Sequence, residues 1–202
     1  MLGFAWACGL ALVGPAGAAQ TIVDEWSGVK APPAPELKAV TVDTETTALL
    51  MLDFMNHNCG KRPRCLASLP AVKKFLDRAR AKGMFVVYAT APGRDVSQTR
   101  KEVSPLGNEP VVNSGPDKFH NTDLEKILKD KGIKTVIAIG TAAHGAVLYT
   151  ASGAGLRGMK VVVPVDGVSG NLYTEQYTAW HLAHAPVFSR NVTLTTFDMV
   201  SF

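Results

Sequence analysis

Asp53 is the residue whose setting most needs a chemical reason. In residues 48–54, Ala-Leu-Leu-Met-Leu-Asp-Phe, it is the single polar side chain among seven. A carboxylate inside such a run is costly to bury unless a cation or a substrate answers it. Burial would also raise its pKa and suit it to general acid/base work. Two other stretches could complete a site around it. Lys118 lies in Gly115-Pro116-Asp117-Lys118-Phe119, at the end of a long proline-bearing segment. An ammonium there could offset the Asp53 charge, although an exposed lysine is the ordinary case. The third stretch is Gly140-Thr141-Ala142-Ala143-His144-Gly145-Ala146. It joins an apolar run to a helix, and free N–H groups at Gly145 and Ala146 would stabilise a developing oxyanion.

Other chemistry-bearing residues give weaker signals. The five histidines, His57, His120, His144, His181 and His184, form no His-Glu-x-x-His or comparable metal pair, and no metal or cofactor is expected. His181 and His184 share a helix face and read as packing or surface residues. Gly153, Gly155 and Gly158 match the G-x-G-x-x-G spacing, but they end a helix where the dinucleotide fingerprint begins one. They read as a helix stop. Gly167-Val168-Ser169-Gly170 falls one residue short of a nucleophile elbow. Asn191-Val192-Thr193 is a glycosylation sequon, meaningful only in a eukaryotic secretory host. Cys59 and Cys65 flank a short basic loop, and in an exported chain they read first as a disulfide. Its entropic gain would be about 2 kcal/mol. The alternative is that Cys59 is a reactive thiolate, its pKa lowered by the basic neighbours.

The elements that must position these residues alternate in type. Residues 46–54 read as a strand covered on both faces, with Asp53 near its C-terminal end. A helix follows over 69–82 and a second strand over 84–90. Residues 91–117 have no clear period and read as a lid or binding loop. Then come a helix over 123–131, a strand over 134–140, a helix over 144–156, a strand over 159–165, a helix over 171–185 and a last strand over 191–195. This alternation predicts a doubly wound, mostly parallel sheet in a three-layer α/β/α arrangement. In such sheets ligands bind beyond the C-terminal strand ends, where Asp53 would stand.

Composition sets outer bounds. The chain has 202 residues and a formal net charge of +4, and its one dense basic run is Lys61-Arg62-Pro63-Arg64. That is too sparse for a nucleic-acid stripe, so no nucleic-acid partner is expected. Residues 1–19 carry no charge, and an apolar segment over 2–13 precedes Ala16-Gly17-Ala18. This reads as a cleaved export signal, leaving no stable membrane span and placing the chain in a periplasm or outside the cell. Cys8 lies too deep in the apolar segment for a lipoprotein signal. Residues 20–45 read as an extended arm, and residues 46–202 as the folded domain.

The Asp53 strand, Lys118 before a helix, and Gly140-Thr141-Ala142-Ala143-His144-Gly145-Ala146-Val147-Leu148-Tyr149-Thr150-Ala151 together resemble the isochorismatase-like, or cysteine-hydrolase, superfamily. The resemblance runs over residues 46–166 and more weakly beyond. It implies a Rossmann-like domain and a site of Asp53, Lys118 and the position of Ala146, where amidase members carry a nucleophilic cysteine. Ala146 closes that route. The resemblance is nearer to isochorismatases proper, which lack the cysteine, carry an Ala-His pair like Ala143-His144, and cleave a vinyl ether by protonation. Gly145, His144, His120 and Asn56 are then the expected substrate contacts, and a homo-oligomer is implied. The expected function is an exported hydrolase acting on a small molecule such as isochorismate. The alternative is a non-catalytic small-molecule-binding protein descended from a cysteine hydrolase.

Overall fold

The computed structural model describes residues 20–202. The expected export signal and Cys8 lie outside the described residues. The described residues fall into two units, divided after Pro33. In the first, Ile22–Glu25 (α1) forms one helical turn, where Asp24 Oδ2 accepts from Thr21 N–H and Oγ1, each at 2.9 Å. All the site elements belong to the second unit.

The second unit is built on a parallel sheet. Val40–Thr41 (β1) pairs with Val200–Ser201 (β9) apart from the main sheet. The main sheet contains Thr47–Leu52 (β2), Phe85–Thr90 (β3), Val111–Asn113 (β4), Thr135–Thr141 (β5), Lys160–Pro164 (β6), Val168–Ser169 (β7) and Val192–Thr195 (β8). Their order is β4-β3-β2-β5-β6-β8, with β7 paired to the end of β5. The chain starts at the centre, builds outward through β3 and β4, and returns to the other side of β2 as β5. That reversal makes β2 and β5 the switch point, the place where sheets of this kind bind their ligands.

Helices cover both faces. Pro63–Ala81 (α2) packs on one face, against Leu49 and Met51 of β2 and Ile137 and Ile139 of β5. Leu124–Asp130 (α3), Leu148–Leu156 (α4) and Leu172–His184 (α5) pack on the other, against Ala48, Leu50, Leu52, Val136 and Ala138. Successive residues of one strand therefore serve opposite cores, which explains why all six residues of β2 are buried and its sequence runs apolar without alternation. Each fully buried Leu or Met contributes about 1.5–3 kcal/mol.

Several boundaries differ from the sequence reading. The helix expected over 69–82 begins at Pro63, so it contains Cys65 and carries Pro70 inside it. Pro63 has the fixed φ that suits a first helical turn. Pro70 lies on the exposed side, where water can satisfy the carbonyl its missing N–H leaves free. The segment over 91–117 is not structureless. It contains two short helical turns and the edge strand β4, whose three residues are too few to show a period. Strands β1, β7 and β9, of two residues each, were likewise unread. No helix among the described residues is long and apolar enough to cross a membrane.

Candidate active site

Strand β2 ends at Leu52, and Asp53 turns off it with a positive φ of 53°. This left-handed conformation costs a non-glycine residue about 1–2 kcal/mol, least for Asp and Asn. It is held by Asp53 N–H donating to Ala89 O at 3.1 Å and Met55 N–H donating to Asp53 O at 2.6 Å. The carboxyl group is buried, with the residue 6% exposed.

Lys118 meets it from the crossover between β4 and α3. Its side chain is 0% exposed, and Nζ lies 3.0 Å from Asp53 Oδ2 and 2.8 Å from Oδ1. Nζ also donates to Ser114 O at 3.0 Å and Thr90 O at 3.3 Å. The three ammonium protons therefore have three acceptor groups, from the ends of β2 and β3 and from the loop. Only Oδ2 receives Lys118 along hydrogen-bonding geometry. Oδ1 is close enough for Coulomb attraction but is buried without a hydrogen bond among the described residues. Burial raises the Asp53 pKa above its ordinary value of 3.8, and Lys118 pulls it only part of the way back.

The Lys118 turn is itself clamped. Lys118 N–H donates to Thr150 Oγ1 at 3.2 Å, and Thr150 Oγ1 donates to Pro116 O at 3.3 Å. Ser114 Oγ bridges Asp117 O and His120 O, at 2.9 and 2.8 Å. Gly153 is the close-approach point of α4: an added Cβ would lie 3.2 Å from both Asp117 Oδ1 and the Phe119 ring. Thr150 and Gly153 are thus positioning residues missed in the sequence. Their signal in the sequence is the run of small residues over 151–155, which lets a helix approach a neighbour closely.

The turn after β5 closes the other side. Gly140 has φ 149°, and a Cβ there would lie 2.1 Å from Leu52 O, so glycine alone lets β5 pass the end of β2. The Thr141–Ala142 peptide is cis. Ala143–Val147 form one wide helical turn, kinked at Gly145 (φ −118°, ψ −106°), before α4. Ala146 is buried in this turn. Gly145 N–H donates to Ala142 O at 3.0 Å, so one of the two oxyanion donors expected from the sequence is already engaged.

The remaining candidates lie further out. His120 and His144 are exposed, and no hydrogen bond among the described residues joins either ring to Asp53 or Lys118. The His120 ring is 3.2 Å from Asn121 Nδ2. Asn56 is exposed and its Oδ1 accepts from Arg100 Nη1 at 3.1 Å. Cys59 and Cys65 form a disulfide with an S–S distance of 2.10 Å, and both are 0% exposed. The bond ties the loop after Asp53 to the first turn of α2 and removes Cys59 as a nucleophile. His57, in the same loop, is held below its ordinary pKa by burial and then by Arg94, Lys61 and Arg62.

Fold and site together define a doubly wound α/β domain with a buried carboxylate–ammonium pair at its switch point. The chain belongs to the isochorismatase-domain family, whose profile matches residues 47–196. Members of this family are hydrolases. A secreted isochorismatase effector of Verticillium dahliae is 29% identical over 142 residues, covering 63% of this chain and 75% of that protein. Among solved structures, a cysteine hydrolase from Pseudomonas syringae pv. phaseolicola superposes with a TM-score of 0.70 at 16% identity, covering 81% of this chain and 94% of the other. N-carbamoylsarcosine amidase from Thermoplasma acidophilum gives 0.66 at 24% identity, covering 76% and 97%. At these identities the structural likeness concerns the fold.

Proposed function

We propose that this chain is an exported hydrolase that works without a catalytic thiol, cleaving a small vinyl ether such as isochorismate through Asp53. Position 146 is alanine, and the two described cysteines are joined to each other. What remains is the buried acid, Asp53. Asp53 in its protonated form gives its proton to the terminal vinyl carbon, and the ether oxygen stabilises the cation that forms. Water then adds to that cation, its proton returns to Asp53, and the hemiketal collapses to a ketone and an alcohol. Lys118 holds the carboxylate that exists between the two proton transfers. The observation that carries this reading is Asp53 Oδ1, buried 2.8 Å from Lys118 Nζ and free of any directed hydrogen bond among the described residues.

Charge at the mouth supports a carboxylated substrate. Arg62 lowers the pKa of both Asp53 and His57, and Arg94 and Lys61 lower that of His57, so positive charge is felt at this end of the sheet. Export is supported by the uncharged apolar start of the sequence, the buried disulfide, and the secreted relative. A homo-oligomer remains part of the reading by family resemblance.

Turnover of isochorismate in heavy-oxygen water tests the route. Pyruvate should be released while the ring alcohol stays unlabelled, because water adds at the vinyl carbon. Label in the ring alcohol, or no pyruvate at all, overturns the proposal.

A further inference from the structure

At the end of the sheet opposite Asp53, a cavity of about 250 Å3 lies where β5 and β6 begin. Glu125 and Lys129 of α3, Lys134 before β5 and Arg157 at the end of α4 form its polar wall, over a floor of Ile133 and Met159. The volume is below the roughly 300–1,000 Å3 of pockets that enclose a whole small molecule, so it suits one group of a ligand. The polar groups are within reach of solvent. The Lys129 side chain is 72% exposed, that of Arg157 is 34% exposed, and Lys134 is exposed.

Charge decides what fits. Three cations stand against one carboxylate, which leaves the wall a net charge of +2. Glu125 is shared between two of them: Oε1 accepts from Lys129 Nζ at 2.6 Å and Oε2 from Arg157 Nε at 2.8 Å. Those hydrogen bonds, that of Lys129 first, hold its carboxyl down to about 2, so it is already ionised and offsets one charge only. Lys134 makes no ion pair among the described residues. Arg157 is the fixed member of the set. Its Nη1 donates to Gly153 O at 3.0 Å, and its guanidinium carbon lies 4.3 Å from the centroid of the Phe119 ring. Its Nη2 has no partner among the described residues. A guanidinium held in this way loses little freedom on meeting an oxyanion, and the lysines add adaptable point charges. The N–H groups of Gly158 and Met159 are bonded back to Gly155 and Ala154, so side chains alone recognise the ligand.

We propose that this cavity is an anion site, taking a doubly charged phosphate group between Lys129, Lys134 and Arg157. Two negative charges match the net charge of the wall, and a tetrahedral group can accept from donors that arrive from three separate elements. The cavity is remote from Asp53 but joined to its partner: Phe119, against which Arg157 lies, follows Lys118, and Gly153 is where α4 meets that turn.

Titration of the isotope-labelled full chain with inorganic phosphate at constant ionic strength, followed by amide NMR, tests the site without reference to activity. Saturable shifts are expected at Lys129, Lys134, Arg157 and Gly158, and acetate, with a single charge, should bind there about tenfold more weakly. Phenyl phosphate identifies the source: tighter binding than inorganic phosphate marks a monoester as the ligand, and equal or weaker binding marks the free ion. Lys134→Gln should weaken phosphate binding about threefold to fivefold, and adding Lys129→Gln should bring the loss to about tenfold or more. Lys74→Gln, at an exposed lysine of α2 outside the wall, should leave binding unchanged. Absence of saturable shifts at these amides, equal binding of acetate, or an equal loss in Lys74→Gln would overturn the site.

Discussion

Two opposite charges buried at 2.8 Å carry the proposed chemistry and bear on stability. Removing one partner leaves the other uncompensated, and such losses run to about 3–5 kcal/mol. Lys118→Met alone should therefore lower stability by about that amount, while Asp53→Asn with Lys118→Met should recover much of it. Urea unfolding of the single and double variants measures this, and additive losses would mean that the pair is not coupled. The same burial sets a pH dependence. Because native Asp53 keeps its proton to higher pH than the ordinary 3.8, the acid form persists further toward neutrality. The kcat/KM profile should fall on the alkaline side of a pKa above 3.8, and this residue's contribution to stability should fall over the same interval. A profile flat through that range would remove Asp53 from the acid role. At this scale the sequence was informative: Asp53 was legible because an acid interrupts an apolar strand. The burial of Lys118 was not legible, since its partner lies 65 residues away and only the fold brings them together.

Elements hold the pair in register. Asp53 comes from the end of β2, and Lys118 from a loop that α4 clamps through Thr150. Thr150→Val keeps the shape and removes both hydrogen bonds. It should lower kcat by about 10- to 100-fold through displacement of Lys118, with KM little changed. An unchanged kcat would show that the ion pair alone fixes the lysine. Core strands and long helices were readable because their apolar residues recur at a fixed period or fill a run between turn residues. Pairs such as β1 and β9 were not, because two residues carry no period and the pairing joins opposite ends of the domain. Pro63 and Pro70 both suit a first helical turn, so residue types alone do not give the start of α2, which lies at Pro63. Asn191 shows the same limit for a motif. Its Nδ2 donates to Gly155 O at 3.1 Å, so the nitrogen that a glycan would take is engaged, which the sequon could not reveal.

For the molecule as a whole, strand order makes the site. A chain that starts at the sheet's centre and reverses across β2 sets the ends of β2 and β5 side by side, so the Asp53–Lys118 pair stands next to the strand that leads into the Ala146 turn. The three-layer arrangement was readable from alternation of strand and helix. The engagement of Gly145 N–H and the outward placement of His120 and His144 depend on backbone detail that residue types do not encode. In the proposed route a carboxylic acid does the work elsewhere done by a thiol. Pyruvate release from isochorismate by the wild-type chain and by Asp53→Asn, with folding of both verified by circular dichroism, tests it most directly. Turnover by the wild type and a loss of about a thousandfold or more in the variant are expected, within the range set by removing a general acid together with its charge. A folded Asp53→Asn chain that releases pyruvate at the wild-type rate would contradict it.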